Sequence, residues 1–374
     1  MLLKNAVYYG ADFEPARGDI AVEGEKIAGV GVLFHEGESI DLGGLTVLPG
    51  FIDIHIHGSA GGDMSDASEE SLQKMSLYLA ANGVTSFCPA SMTLPEEQLA
   101  KQFQTVESFK GKEKGAYIHG INMEGPFISL AQKGAQPAEY IRPPDFGEFS
   151  RLNAISRIVL VDVAPELPGA FDFARRACRC CTVSQAHTAA DFPTAEEAYR
   201  NGFSHATHLF SAMPPVEHRA PGPVVAAFDN AASTAELICD GIHAHPPVLR
   251  MAFKLLGEDR VVVVSDAMKA ASMQDGEYEL GGQTVYVRQG KATLADGRLA
   301  ASTVNLFREY QNLLSFGIDP KAALKACTIN PARVIGADAA TGSIKPGKYA
   351  DLLVTDTRSV LAVLVKGRLL FRKF

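Results

Sequence analysis

The chain has 374 residues, 47% of them hydrophobic and 21% charged, with a formal net charge of −8. This balance excludes intrinsic disorder, and the acidic charge without any Lys/Arg stripe argues against nucleic acid as a partner; the length suits one large α/β barrel with a small accessory domain, or two ordinary domains. The opening "MLLKNAVYYG" lacks an apolar stretch of signal-peptide length, and no uncharged run approaches the roughly 20 residues of a membrane span, so a cytoplasmic protein with no membrane contact is expected.

In chain order, "AVYYG", "GDIAVEGEKIAGVG" and "ESIDLGGLTVLPG" alternate short extended runs with turns, which predicts a β-rich module over roughly the first 46 residues. Next comes "PGFIDIHIHG", a bulky and β-branched strand bracketed by Pro49-Gly50 and Gly58. "LQKMSLYLAANGV" reads as a helix ending at Asn82-Gly83, and "VTSFCPAS" as the strand after it. The runs "AYIHGINMEG", "ISRIVLVDVAPE", "CCTVSQAHT", "FSHATHLF", "TAELICDGIH" and "RVVVVSDAM" continue the strand pattern, with helical "AEEAYRNG" and "PPVLRMAFKLLG" between them. That makes about eight strands in βα alternation, the number a closed (β/α)₈ barrel requires. The tail, "GSIKPGKYADLLVTD" and "VLAVLVKGRLLF", returns to short strands with Gly turns, so both chain ends are expected to pair into one accessory β domain. Six cysteines are too few and too irregular for a disulfide framework. The Cys178/Cys181 spacing, without a second pair, is a weak zinc signal beside the reading as ordinary thiols.

Chemistry-bearing residues gather at the ends of these strands. His55 and His57 lie two apart in an extended run and therefore project from one face, where two imidazoles can converge on one ion. Glu124 ends an apolar strand, His187 ends "CCTVSQA", His205 and His208 lie in "FSHATHLF", His243 follows "AELICDGI", and Asp266 follows four valines. Any one of these could be structural, but the C-terminal strand ends are where such barrels build their sites. Imidazoles with one or two carboxylates suit zinc, iron or a similar transition metal, whereas calcium or magnesium would want oxygen ligands almost alone. No Gly-x-Ser-x-Gly elbow and no P-loop occurs. Metal-assisted hydrolysis at carbon is the natural use of such a set, with Asp266 either the proton carrier or a further ligand.

Taken together, "PGFIDIHIHG", "NMEGPFIS…KGA", "AHTAA", "HATHLFSAMPP", "HRAPG", "DGIHAHP" and "VSDAM" resemble the N-acetylglucosamine-6-phosphate deacetylases of the amidohydrolase superfamily. The resemblance runs over essentially the whole chain. It implies a distorted (β/α)₈ barrel over residues 48–343 and a two-part β-sandwich from residues 1–47 and 344–374, usually as a homodimer. It implies one or two divalent ions, zinc or iron, and a small phosphorylated amino sugar as substrate, with an N-acetylgalactosamine 6-phosphate or cyclic-amide hydrolase as alternatives. Glu124, His187 and His208 fall on the principal metal ligands, His55 and His57 on a second ion's ligands, and Asp266 on the catalytic acid/base; His205 is then structural. Arg219, His243 and the Ser211-Ala212 backbone fall on phosphate contacts. Leu299, Ala300 and Ala301 line the sugar site, and Ala135 and Gln136 lie in the loop beside the acyl group.

This chain departs from the better-known bacterial members at two of these positions. Ser211 replaces the Asn of "HLFNAM", and Gln136 stands where "KGAH" or "KGTH" places a His that helps polarise the acetyl carbonyl. A neutral amide is expected to donate to that oxygen but cannot become cationic.

Overall fold

The computed structural model describes residues 1–33 and 37–374. Both chain ends meet in one eight-stranded sheet, in the order Arg368–Arg372, Val360–Val365, Leu352–Thr355, Thr46–Pro49, Leu2–Tyr9, Pro15–Glu23, Lys26–Gly31, with Ser39–Asp41 also paired to Leu2–Tyr9. Alternation along these strands buries Leu3, Ile20, Val22, Val47, Leu352, Val354 and Leu364 in a core of their own. The predicted pairing of the two ends is therefore present. Its joint is the antiparallel register Leu352↔Pro49 to Thr355↔Thr46.

Between the ends runs a curled parallel sheet in two segments. One is Tyr117–Ile118, Val84–Pro89, Phe51–Ile56; the other is Ile121–Met123, Ile158–Val163, Thr182–Gln185, His205–Ala206, Thr234–Leu237, Val261–Val263. At one seam a parallel bridge pairs Ala90 with Asn122, and the Asn122 amide donates to the Ile54 carbonyl over 3.1 Å. At the other, the Asp266 N–H donates to the His55 carbonyl and the His57 N–H to that of Ala267, each over 2.9 Å. The chain thus carries His55, His57 and Asp266 to one spot. All six residues of Phe51–Ile56 and of Ile158–Val163 are buried, as strands covered on both faces must be.

The helix Glu69–Ala81 starts on Ser68, whose hydroxyl accepts from the Ser71 N–H, and it stops at Asn82 as its sequence predicts. Phe192–Arg200, capped by Asp191, and Pro246–Leu256, with proline in its first turn, match the other two expected helices. A three-stranded antiparallel sheet, Gly276–Leu280, Gln283–Arg288 and Lys291–Thr293, follows the last parallel strand and has no counterpart in the sequence reading. All six cysteines are free, and the Cys178 and Cys181 thiols turn to the backbone carbonyls of Arg175 and Ala177. Among the described residues no helix is long and apolar enough to cross a membrane.

Candidate metal centre and active site

The strand ends deliver two donor groups whose ligand atoms lie within 4.8 Å of one another: Glu124, His187 and His208, and His55, His57 and Asp266. Among the described residues these are the only such groups, and all six members are buried. Glu124 links them. Its Oε1 stands 3.0 Å from His187 Nε2, 3.2 Å from His208 Nε2 and 3.5 Å from His55 Nε2, while its Oε2 is 3.3 Å from His57 Nε2. Asp266 Oδ1 lies 3.3 Å from His57 Nε2 and 3.7 Å from His55 Nε2.

Three of the four imidazoles are oriented from behind, while Nδ1 of His208 is buried without a partner. Nδ1 of His187 donates to the Gln132 carbonyl (2.9 Å), Nδ1 of His57 to the Ala90 carbonyl (3.2 Å) and Nδ1 of His55 to Glu236 Oε2 (3.0 Å). An Nδ1–H held in this way leaves the Nε2 lone pair aimed into the cluster, the tautomer a metal ligand needs. His55 Nε2 is buried without a hydrogen-bond partner. Two imidazole nitrogens, His187 Nε2 and His208 Nε2, also sit 3.2 Å apart against one carboxylate oxygen. Donor atoms crowded together with no hydrogen-bond pattern to satisfy them fit a divalent cation.

Electrostatics agree. Burial pushes the His57 imidazole down, but Glu124 and the Asp266 hydrogen bond outweigh it and raise it to about 10. Burial likewise opposes ionisation of Asp266, yet the hydrogen bond with His57 and the charges of His55, His57 and His208 hold its carboxyl below the ordinary value. Negative charge that retains a proton on a buried imidazole also favours a metal ion in the proton's place.

Three of these residues leave their strands with left-handed backbone: φ is 43° at His187, 28° at His208 and 44° at Asp266. Non-glycine residues rarely adopt this conformation, and its clustering here is the signature of a site whose geometry is imposed by the surrounding fold.

The centre forms the floor of a cavity of about 440 Å³. Ala135, Gln136, Ser211, Ala212, His243, Leu299 and Ala301 line it. His243 is oriented by Asp240, whose Oδ2 accepts from its Nδ1 over 2.7 Å. Two of the expected positions are not among the residues lining this cavity. Ala300 is buried, between the lining residues Leu299 and Ala301. Arg219 lies on the exposed turn after Pro215, outside the cavity lining, because the segment from Pro215 to Ala220 runs along the surface. The guanidinium that does line the cavity is Arg298, which donates to the Gly134 carbonyl over 3.2 Å and pairs with Asp296. Arg298 comes from the turn after the antiparallel insertion, whose Gln283 amide also donates to the Ala135 carbonyl. His205 is structural: its Nδ1 meets Thr234 Oγ1 at 2.6 Å and its Nε2 meets Glu236 Oε1 at 3.3 Å.

Sequence reasoning missed Glu236, which accepts from His55 and from the His208 backbone N–H (3.1 Å). Its signal was available, since a lone acid in the buried strand Thr234–Leu237 demands partners. Asp53 is a parallel case, accepting from the Ser265 hydroxyl over 2.6 Å beneath the centre. Burial is the main cause that raises the Asp53 carboxyl to about 7.

A larger cleft of about 810 Å³, at the N-terminal side of strand Val261–Val263, offers no comparable donor set. Its Lys325 pairs with Glu258 and Asp259, Arg333 with Asp259 and Lys321 with Glu14.

A model of the amidohydrolase family matches residues 46–370. The chain belongs to the amidohydrolase family. Within this family it is 36% identical to an N-acetylglucosamine-6-phosphate deacetylase of Bacillus subtilis, over 87% of this chain and 84% of that one. It is 32% identical to an N-acetylgalactosamine-6-phosphate deacetylase of Escherichia coli, over 86% of each. Among solved amidohydrolases, the N-acetylglucosamine-6-phosphate deacetylase of Pasteurella multocida superposes with a TM-score of 0.93 at 30% identity, covering 98% of both chains. A mutant of the Mycobacterium smegmatis enzyme in complex with N-acetyl-D-glucosamine-6-phosphate gives 0.92 at 29% identity, covering 99% of both.

Proposed function

We propose that this amidohydrolase removes acetate from N-acetylglucosamine 6-phosphate, giving glucosamine 6-phosphate. The observation that carries the reading is the pair of adjoining donor groups, bridged by the short distances from Glu124, on the floor of a cavity, in a chain that matches such deacetylases over most of its length. One or two divalent ions, zinc or iron, would be held by Glu124, His187 and His208 and by His55 and His57. A bound ion supplies acidified water at neutral pH and polarises the amide carbonyl. Asp266, ionised and next to the donors, takes the proton from the attacking water and passes it to the departing amine, whose C–N bond breaks as acetate forms. Asp266 Oδ1 lies 3.3 Å from His57 Nε2, on the side of the cluster given to the second ion.

At the other end of the cavity, His243 and the backbone at Ser211-Ala212 receive the phosphate, with a guanidinium to balance its charge in a protein of net charge −8. Two arginines compete for that role. Arg298→Ala is expected to lower kcat/KM on the phosphorylated sugar by about 10-fold, the low end of the 10- to 150-fold range of a hydrogen bond to a charged group, because Arg298 is half exposed and shared with Asp296. On unphosphorylated N-acetylglucosamine the loss should be small. Arg219→Ala serves as the comparison: a phosphate-dependent loss there, with none for Arg298, would return the role to Arg219.

The fold we propose for this activity is a distorted (β/α)₈ barrel over residues 48–343, the two parallel segments forming one closed circuit, with a β-sandwich from residues 1–47 and 344–374. A cytoplasmic homodimer completes the reading, and light scattering on the purified protein measures its mass. The Escherichia coli relative favours a second substrate, N-acetylgalactosamine 6-phosphate. The deciding assay follows acetate release from both epimeric 6-phosphates, from N-acetylglucosamine and from dihydroorotate, with metal content measured on the same sample. Absence of acetate from either sugar phosphate in metal-loaded protein would refute the assignment.

A further inference from the structure

Gln136 is 2% exposed and lines the cavity beside the donor cluster. Its amide orientation is fixed by its neighbours. The backbone N–H of Thr93 donates over 2.7 Å to one end, which must therefore be the oxygen, Oε1. The Nε2 end then donates over 2.6 Å to Glu124 Oε2, and its remaining direction meets the Met92 sulfur at 3.7 Å. No N–H of Gln136 is left for an acyl oxygen. This differs from the donor role expected at the position.

What the amide does instead is clamp a carboxylate. Glu124 stands at the meeting point of the two donor groups, with Oε1 toward His187 and His208 and Oε2 toward His57. A carboxylate in that position can rotate and exchange its oxygens between the two sides. The bond from Gln136 holds Oε2, and the Thr93 N–H holds Gln136. We infer that Gln136 is a positioning residue for the metal ligand Glu124, presenting Oε1 to the His187–His208 side, and that it is not a donor to the substrate. The inference rests on the metal-centre reading and adds to it the residue that fixes its shared ligand. Partners that orient a ligand are commonly worth 10- to 100-fold in metal affinity.

The test is chelator competition on the metal-loaded protein. Gln136→Leu and Gln136→Met each remove both bonds with little change of shape and no added charge. Both variants should surrender the ion about 10- to 100-fold more readily than wild type. Cobalt-loaded Gln136→Leu should also show altered visible absorption bands, which report ligand geometry and which a general loss of stability would not move. Thermal unfolding of each variant identifies one that has failed to fold, and the other variant then decides. Wild-type metal retention and cobalt bands, with kcat reduced at full occupancy, would show that Gln136 acts on the substrate and would overturn the inference. A wild-type protein that binds no ion at all would overturn the metal-centre reading with it.

Discussion

Asp266→Asn is expected to keep its metal while turnover falls by about 10²- to 10⁴-fold, the usual contribution of a positioned general acid–base group. Asparagine preserves the volume and one oxygen that can face the donors, so the change isolates proton transfer. Asp266 is suited to the task by its place, buried beside the donor cluster with Oδ1 3.3 Å from His57 Nε2. Metal analysis alongside steady-state kinetics separates the two roles left open by the sequence. A variant that loses an equivalent of metal would make Asp266 a ligand first, and one within tenfold of wild type would place the proton transfer elsewhere.

Glu124→Ala should have the largest effect. It removes the carboxylate that links the two donor groups and leaves His187 Nε2 and His208 Nε2 facing each other at 3.2 Å without it. Metal and activity should disappear together, with a loss of at least about 10³-fold if the ion contributes several kcal/mol to the barrier. Elemental analysis of the purified variant provides the measurement, and retention of both properties would dismantle the centre as assigned. His55→Ala asks a narrower question. If His55 and His57 hold a second ion, stoichiometry should fall by about one equivalent, and Glu236 should lose the stronger of its two imidazole partners at a stability cost of about 1–3 kcal/mol.

Much of this centre was legible because strand geometry is periodic. The two-residue spacing of His55 and His57 dictates a common face, and a carboxylate or imidazole at the end of an apolar run, as at Glu124, His187 and Asp266, points to the rim of a parallel sheet. Features that depend on contacts remote in sequence were not legible. Arg298 reaches the cavity where the Gly276–Thr293 insertion and the turn after it meet the loop at Gly134 and Ala135, through bonds that span 148 and 164 residues. Arg219 bears a motif that resembles a phosphate contact, but its place is set by the path of a surface turn that no periodicity encodes. Gln136 shows a third kind of limit. Its residue type permits a bond to substrate, and only the Thr93 N–H reveals that the amide is already committed.

The joint between Thr46–Pro49 and Leu352–Thr355 carries a consequence for biosynthesis. The first half of that sheet leaves the ribosome about 300 residues before its partner strands, a delay of roughly 15–60 s at typical elongation rates. Throughout that interval the Thr46–Pro49 edge and the apolar faces of Leu3, Ile20 and Val47 have no cover, a condition that invites pairing with other nascent chains. Yield in a heterologous host should therefore depend on elongation speed and chaperone supply more than on the stability of the finished enzyme.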